Sequence, residues 1–266
     1  MQNTNARKGL IPILQMTIIL ALCIVTVLLD FVKIEYTTNE LHNKYISKII
    51  QQSVGVIAIV LLFRRLNIKL FGLPQKWLYL IPCLIVAIDN FQWSSYLNGN
   101  MELVNSQPID FILFGAYCLA VGMFEECIFR GVIFAVLAGQ FSKDKDGLWK
   151  TFIVSSLIFG AAHLFNGISF GTILQVGYTF LTGGLFAFVL LKTKNILCCG
   201  FVHALYNFGG LLFESAEYMG LGNGVVFDIG TVITMFVVSV LVGLFVLSSV
   251  RNYSEEEQAE LYENWA

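Results

Sequence analysis

Charge is what this chain has least of. Asp, Glu, Lys and Arg make up 13% of its 266 residues, against 57% apolar types. A soluble globular protein carries about 25% charged residues, so an ordinary soluble domain is excluded. Mean hydropathy is +0.75. The net charge of −2 offers no basic excess for nucleic acid. Histidine is scarcer still, with only His42, His163 and His203. No CxxC pair occurs among the six cysteines, and no internal repeat stands out. Cys23, Cys83, Cys118, Cys127, Cys198 and Cys199 all lie in apolar stretches, where they read as small buried residues. Cys127 beside Glu126 is the one considered as a nucleophile, and its apolar setting argues against that role.

What is present is a series of long apolar runs. A membrane-spanning helix needs about 20 apolar residues. Eight segments qualify: 10–32, 45–63, 77–93, 108–138, 149–166, 170–191, 195–213 and 226–249. Arg7 and Lys8 precede the first run, which is long and lacks a small-residue cleavage site, so it reads as an uncleaved span. The fourth run is too long for one straight span and is expected to tilt or break near its glutamates. With the N-terminus cytosolic, most lysines and arginines fall on the inside. They are Arg7, Lys8, Arg64, Arg65, Lys69, Lys76, Lys143, Lys145, Lys150, Lys192, Lys194 and Arg251. Lys33, Lys44 and Lys48 fall in the first outside loop, and the loops around 94–107, 167–169 and 214–225 hold none. Trp77, Trp93 and Trp149 sit at span ends, as interfacial anchors do. The expected architecture is therefore all-α: a polytopic membrane helix bundle of about eight transmembrane helices, with both termini in the cytosol and a short acidic tail.

Arg130 and the glutamates beside it lie inside a span, in FEECIFRG at 124–131. A charge at the bilayer centre costs about 2.5–3.5 kcal/mol on insertion scales, so such residues are usually paired and functional. Glu126 and Arg130 are four apart and share a helix face, which suits an ion pair. Glu125 is rotated about 100° away on a helix of 3.6 residues per turn. It lacks that partner and is available as a general base. A second cluster is Phe159-Gly-Ala-Ala-His163, where the small residues let helices approach. A third is His203-Ala-Leu-Tyr-Asn207, with His203 and Asn207 four apart on one face. Taken singly, each cluster also reads as structural: a charged joint between helices, a packing histidine, or polar interhelical glue. Together, Glu125, His163, His203 and Asn207 form the set that water-mediated hydrolysis needs: a base for water and donors for an oxyanion. Glu125, His163 and His203 could also hold a divalent metal such as zinc. The HExxH arrangement of zinc proteases is absent, which favours a metal-free glutamate mechanism.

EExxxR, FxxxH and HxxxN, in that order on successive spans, resemble the CPBP family of intramembrane proteases. That family includes type II CAAX prenyl endopeptidases and bacterial bacteriocin-processing and self-immunity relatives. KTKNILCCGFVHALYN looks like its third motif region, including the Thr193-Lys194-Asn195 turn. The resemblance covers 108–213, leaving 1–107 as three N-terminal spans and 214–266 as a last span and tail. It implies that Glu125 activates water with help from His163, that His203 and Asn207 stabilise the oxyanion, and that Glu126, Arg130 and Phe159 support the site. The expected function is an intramembrane endopeptidase acting on a membrane-associated peptide or protein, in a bacterial cell membrane. The alternative is a non-catalytic immunity or regulatory protein on the same fold. A proton-coupled transporter ranks last, because the chain shows no internal repeat or paired broken helices.

Overall fold

The computed structural model describes residues 35–65, 69–142, 146–167 and 170–258. The expected first span at 10–32, with Cys23, Arg7, Lys8 and Lys33, lies outside the described residues, as do Lys143, Lys145 and the end of the tail. In chain order the helices are α1 (Glu40–Arg65), α2 (Leu80–Asp89), α3 (Trp93–Leu97) and α4 (Pro108–Glu126). A π-helical stretch, Cys127–Ile133, leads into α5 (Phe134–Phe141). Then come α6 (Gly147–Ala162), α7 (Phe170–Thr193), α8 (Ile196–Leu211) and α9 (Ile229–Arg251). Among the described residues there is no strand, only two isolated bridges.

Among the described residues, five helical runs are long and apolar enough to cross a membrane: Glu40–Arg65, Pro108–Phe141, Gly147–Phe165, Thr172–Thr193 and Ile229–Arg251. Trp77–Asp89 and Ile196–Leu211 are apolar but shorter. These runs account for the second to eighth expected spans. The protein is an all-α membrane helix bundle and an integral membrane protein. The outward faces remain apolar, as at Ile233, Phe236, Leu241 and Leu244 of α9, which suits lipid. Two boundaries differ from the sequence reading. α1 begins at Glu40, so Lys44 and Lys48 stand on its first turns and not in a loop. The third span ends at Asp89, because the chain turns through Gln92 in the left-handed region (φ 57°) before α3.

The two ends of the bundle are tied separately. At one end, the segment after α1 meets the α7–α8 turn: Ile196 donates to the Leu70 carbonyl (2.9 Å) and Gln75 to that of Thr193 (2.8 Å). Asn195 caps α8 by accepting from the Leu197 and Cys198 amides, and its side-chain amide donates to the Gly72 carbonyl. At the other end, Val104 donates to Leu221 (2.9 Å), and the Tyr45 hydroxyl reaches the Met219 carbonyl (3.0 Å). Asp228 caps α9 there. The Thr231 amide, with Asn98 and Ser94, holds its carboxyl down at about 2. Two of the segments counted as basic, 69–76 and 192–196, therefore meet at one end, and two that lack lysine and arginine, 98–105 and 214–224, meet at the other.

α4 and α8 cross closely at glycine. A Cβ on Gly122 would stand 2.9 Å from the Ala204 nitrogen and 3.0 Å from the Gly200 carbonyl oxygen, which are backbone atoms that cannot swing away. The crossing sits one turn from Glu126 on one helix and beside His203 on the other. Gly122→Val is expected to force the pair apart, at about 1–3 kcal/mol by the usual scale of overpacking. Thermal denaturation in detergent reads this directly. Gly139→Val is the control, because a Cβ there meets nothing within 4 Å.

Candidate active site

The site begins where the long fourth run changes its winding. α4 ends at Glu126, and the next seven residues are π-helical. The expected break near the glutamates is thus a rewinding of a continuous helix and not an interruption. Such stretches are rare and concentrate at functional positions. Gly131 lies within it, hard against the Phe63 ring of α1.

Arg130 sits in this stretch and is 2% exposed. Its Nη1 donates to Glu126 Oε1 at 3.1 Å, the expected ion pair. Its Nη2 donates to the Gly183 carbonyl of α7 at 2.8 Å. That carbonyl is reachable because α6 and α7 pack tightly at Gly183, where a Cβ would lie 3.1 Å from Phe159. The guanidinium lies 4.3 Å from the Phe159 ring centroid and 5.3 Å from that of Phe186. A buried cation is thereby matched by one carboxylate, one carbonyl and two ring faces.

Glu126 also holds His203. The Nδ1 of His203 is 2.8 Å from the same Oε1. A carboxylate there only accepts, so Nδ1 carries the hydrogen and Nε2 faces the other way. Nε2 stands 3.8 Å from Glu125 Oε2. Phe186 stacks on the imidazole at 4.5 Å and 18°, and Phe159 meets it edge-on at 5.8 Å. The histidine is therefore fixed in tautomer, direction and plane. The two glutamates differ in access: the Glu125 side chain is 29% exposed and that of Glu126 0%. One can meet water and the other cannot.

His163 ends α6 and begins a short 3-10 turn. Its Nδ1 lies 3.0 Å from the Phe159 carbonyl, which only accepts, so its Nε2 is left with the lone pair. Its ring meets Phe159 edge-on at 5.2 Å. Asn207 follows His203 by one turn of α8, and its side chain makes no hydrogen bond to another described residue. Glu125, Glu126, Arg130 and His203 thus form one contact set. His163 adjoins it through Phe159, and Asn207 stands beyond it. Cys127 is fully buried, which removes it as an accessible nucleophile. Among the described residues, no three His, Cys, Asp or Glu side chains gather as a set able to hold a metal ion. Glu125, His163 and His203 do not fit one as they stand.

Two contributors were absent from the sequence reading. Gly183 had a signal, since Thr182-Gly183-Gly184 is a run of small residues of the kind that marks a close helix crossing. Phe186 had none, because it is one of 23 phenylalanines.

No curated protein and no solved structure matches the chain. The segment that builds the site does match a known family: residues 107–209 fit the family model described as type II CAAX prenyl endopeptidase Rce1-like, the kind of protein that the three motifs resemble.

Proposed function

We propose that the protein is an intramembrane endopeptidase that hydrolyses a peptide bond of a membrane-associated protein or peptide. The observation that carries this reading is the pairing of a water-accessible Glu125 with His203 Nε2 at 3.8 Å, behind which Glu126 and Arg130 are sealed from water. The family match at 107–209 supports it at the level of reaction class.

In the proposed path, Glu125 takes a proton from water as the water oxygen attacks the scissile carbonyl carbon. His163 Nε2 helps to orient that water. The C=O electron pair moves onto oxygen, and His203 and Asn207 donate to the resulting oxyanion. His203 can do so as an imidazolium, with Nδ1–H on Glu126 and Nε2–H on the oxyanion. Once Glu125 holds the proton from water, Glu126, Arg130 and this imidazolium sum to +1, which the oxyanion's −1 balances, as a low-dielectric site requires. On collapse the C–N bond breaks, and Glu125 returns its proton to the leaving amine. Asn207→Ala is expected to lower kcat by about 100- to 1000-fold, the scale of one oxyanion donor, with KM little changed. Single-turnover cleavage of an identified substrate measures this. A chelator separates this path from one through a divalent ion. Activity retained in EDTA supports the glutamate path, and activity lost and then restored by zinc overturns it.

The deciding experiment compares peptide termini across native membranes that carry the wild type or Glu125→Gln at equal expression. New termini seen only with the wild type establish proteolysis and name the substrate. Identical termini, with the cellular phenotype also unchanged, point instead to a non-catalytic immunity or regulatory protein. In a bacterial cell, the basic end of the bundle would face the cytosol by the positive-inside rule.

A further inference from the structure

A polar triplet, Gln51-Gln52-Ser53, interrupts the apolar run of α1. Gln52 lies on the face that α1 turns to α4. Tyr45, Gln52 and Ile59 follow one another at seven-residue intervals, nearly two full turns. Tyr45 packs on the Phe114 and Tyr117 rings of α4, and both Tyr45 and Ile59 are buried. Gln52 is half-buried. Its Oε1 is sealed from solvent and has no hydrogen-bond partner among the described residues. An unanswered carbonyl oxygen inside a span lowers stability, so packing gives no reason for a glutamine there.

The register of the two helices places Gln52 relative to the site. α1 and α4 run parallel. His42 Nε2 lies 2.6 Å from Asp110 Oδ1, 68 positions on. The Phe63 ring meets Gly131, at the same separation. That offset sets Gln52 opposite Ala120, five residues before Glu125. Five residues of helix rise about 7.5 Å, which is the reach of about two residues of extended chain.

Hydrolysis inside a membrane gives such a group a task. A peptide bond within a helix has its N–H and C=O tied to neighbouring turns, so attack requires a segment unwound around the bond. Each amide freed in that way has no water to meet in apolar surroundings and needs a protein partner. A carboxamide accepts from an N–H and donates to a C=O. One terminal torsion turns it toward an incoming strand.

We propose that Gln52 is a substrate-binding residue, whose carboxamide pairs with the backbone of the unwound substrate about two residues from the scissile bond. The unanswered oxygen is the acceptor for a substrate N–H. This inference rests on the proteolysis proposed above.

The test uses the full chain in detergent and a peptide copied from the cleavage site that the comparison of termini identifies. Gln52→Met keeps the length of the side chain and removes both polar atoms. It is expected to lower kcat/KM about tenfold, the scale of one neutral hydrogen bond, through KM with kcat little changed. Its melting temperature should match or exceed that of the wild type, because an unpaired oxygen has been removed. A second peptide series replaces single amides by esters, two residues to either side of the scissile bond. One of these esters should slow the wild type about tenfold and slow Gln52→Met no further, since the two changes delete the same contact. Unchanged KM in Gln52→Met overturns the proposal, as does an ester effect equal in both proteins. A lowered melting temperature with the loss of activity assigns Gln52 to packing and also overturns it. If wild type and Glu125→Gln yield identical termini, the proteolysis reading itself fails and this one falls with it.

Discussion

Glu125→Gln is expected to lower peptide-bond hydrolysis by about 100- to 10,000-fold, the range supplied by a positioned general base, and to leave the melting temperature in detergent unchanged. The two halves of this expectation rest on different contacts. The Glu125 carboxylate is 29% accessible and its nearest charged neighbour is His203 at 3.8 Å, longer than a hydrogen bond. Removing its charge therefore breaks no buried ion pair. Glutamine keeps the shape and can still orient water, but it cannot take the proton. A Glu125→Gln protein that melts with the wild type and cleaves as fast would remove Glu125 from the chemistry. One that fails to fold would assign it to the scaffold.

The division between the two glutamates was legible in sequence because it depends on local geometry. Four residues separate Glu126 from Arg130, one separates Glu126 from Glu125, and a helix turns those spacings into one shared face and one separate face. The pair forms as that argument requires, at 3.1 Å. The fold class was legible for a similar reason, since apolar run length and lysine placement are one-dimensional signals. What stayed hidden crosses between helices. His203 lies 77 positions from Glu126, and nothing along the chain says that its Nδ1 meets the same oxygen that holds Arg130. The spacing HxxxN puts His203 and Asn207 one turn apart on α8, but it does not say that Glu126 anchors the histidine from behind. The π-helical winding was also hidden, because a long apolar run shows that a straight span is too short but not how the excess is absorbed.

Arg130→Met is expected to be the most destabilising single change in the site, at about 3–5 kcal/mol, because it strips the partner from a buried carboxylate. Glu126 is fully buried, its Oε1 already serves both Arg130 and His203, and its Oε2 has no hydrogen-bond partner among the described residues. Without Arg130 that carboxylate keeps one histidine contact and loses its counter-charge, and the Gly183 carbonyl loses its donor. Loss of folded protein, read as melting temperature and yield, is the expected result. The double variant Glu126→Leu with Arg130→Met removes both charges together. Replacing a buried ion pair by apolar groups of similar size is often neutral or better for stability, so a double-mutant cycle should show a large favourable coupling between the two changes. Activity is the separate readout. With no carboxylate behind Nδ1, His203 loses the contact that sets its tautomer and points Nε2 at Glu125, so the refolded double variant should remain at least about 100-fold slow. Recovery of stability and activity together would show that Glu126 does no more than balance Arg130. Recovery of stability alone assigns it the further task of aiming the histidine.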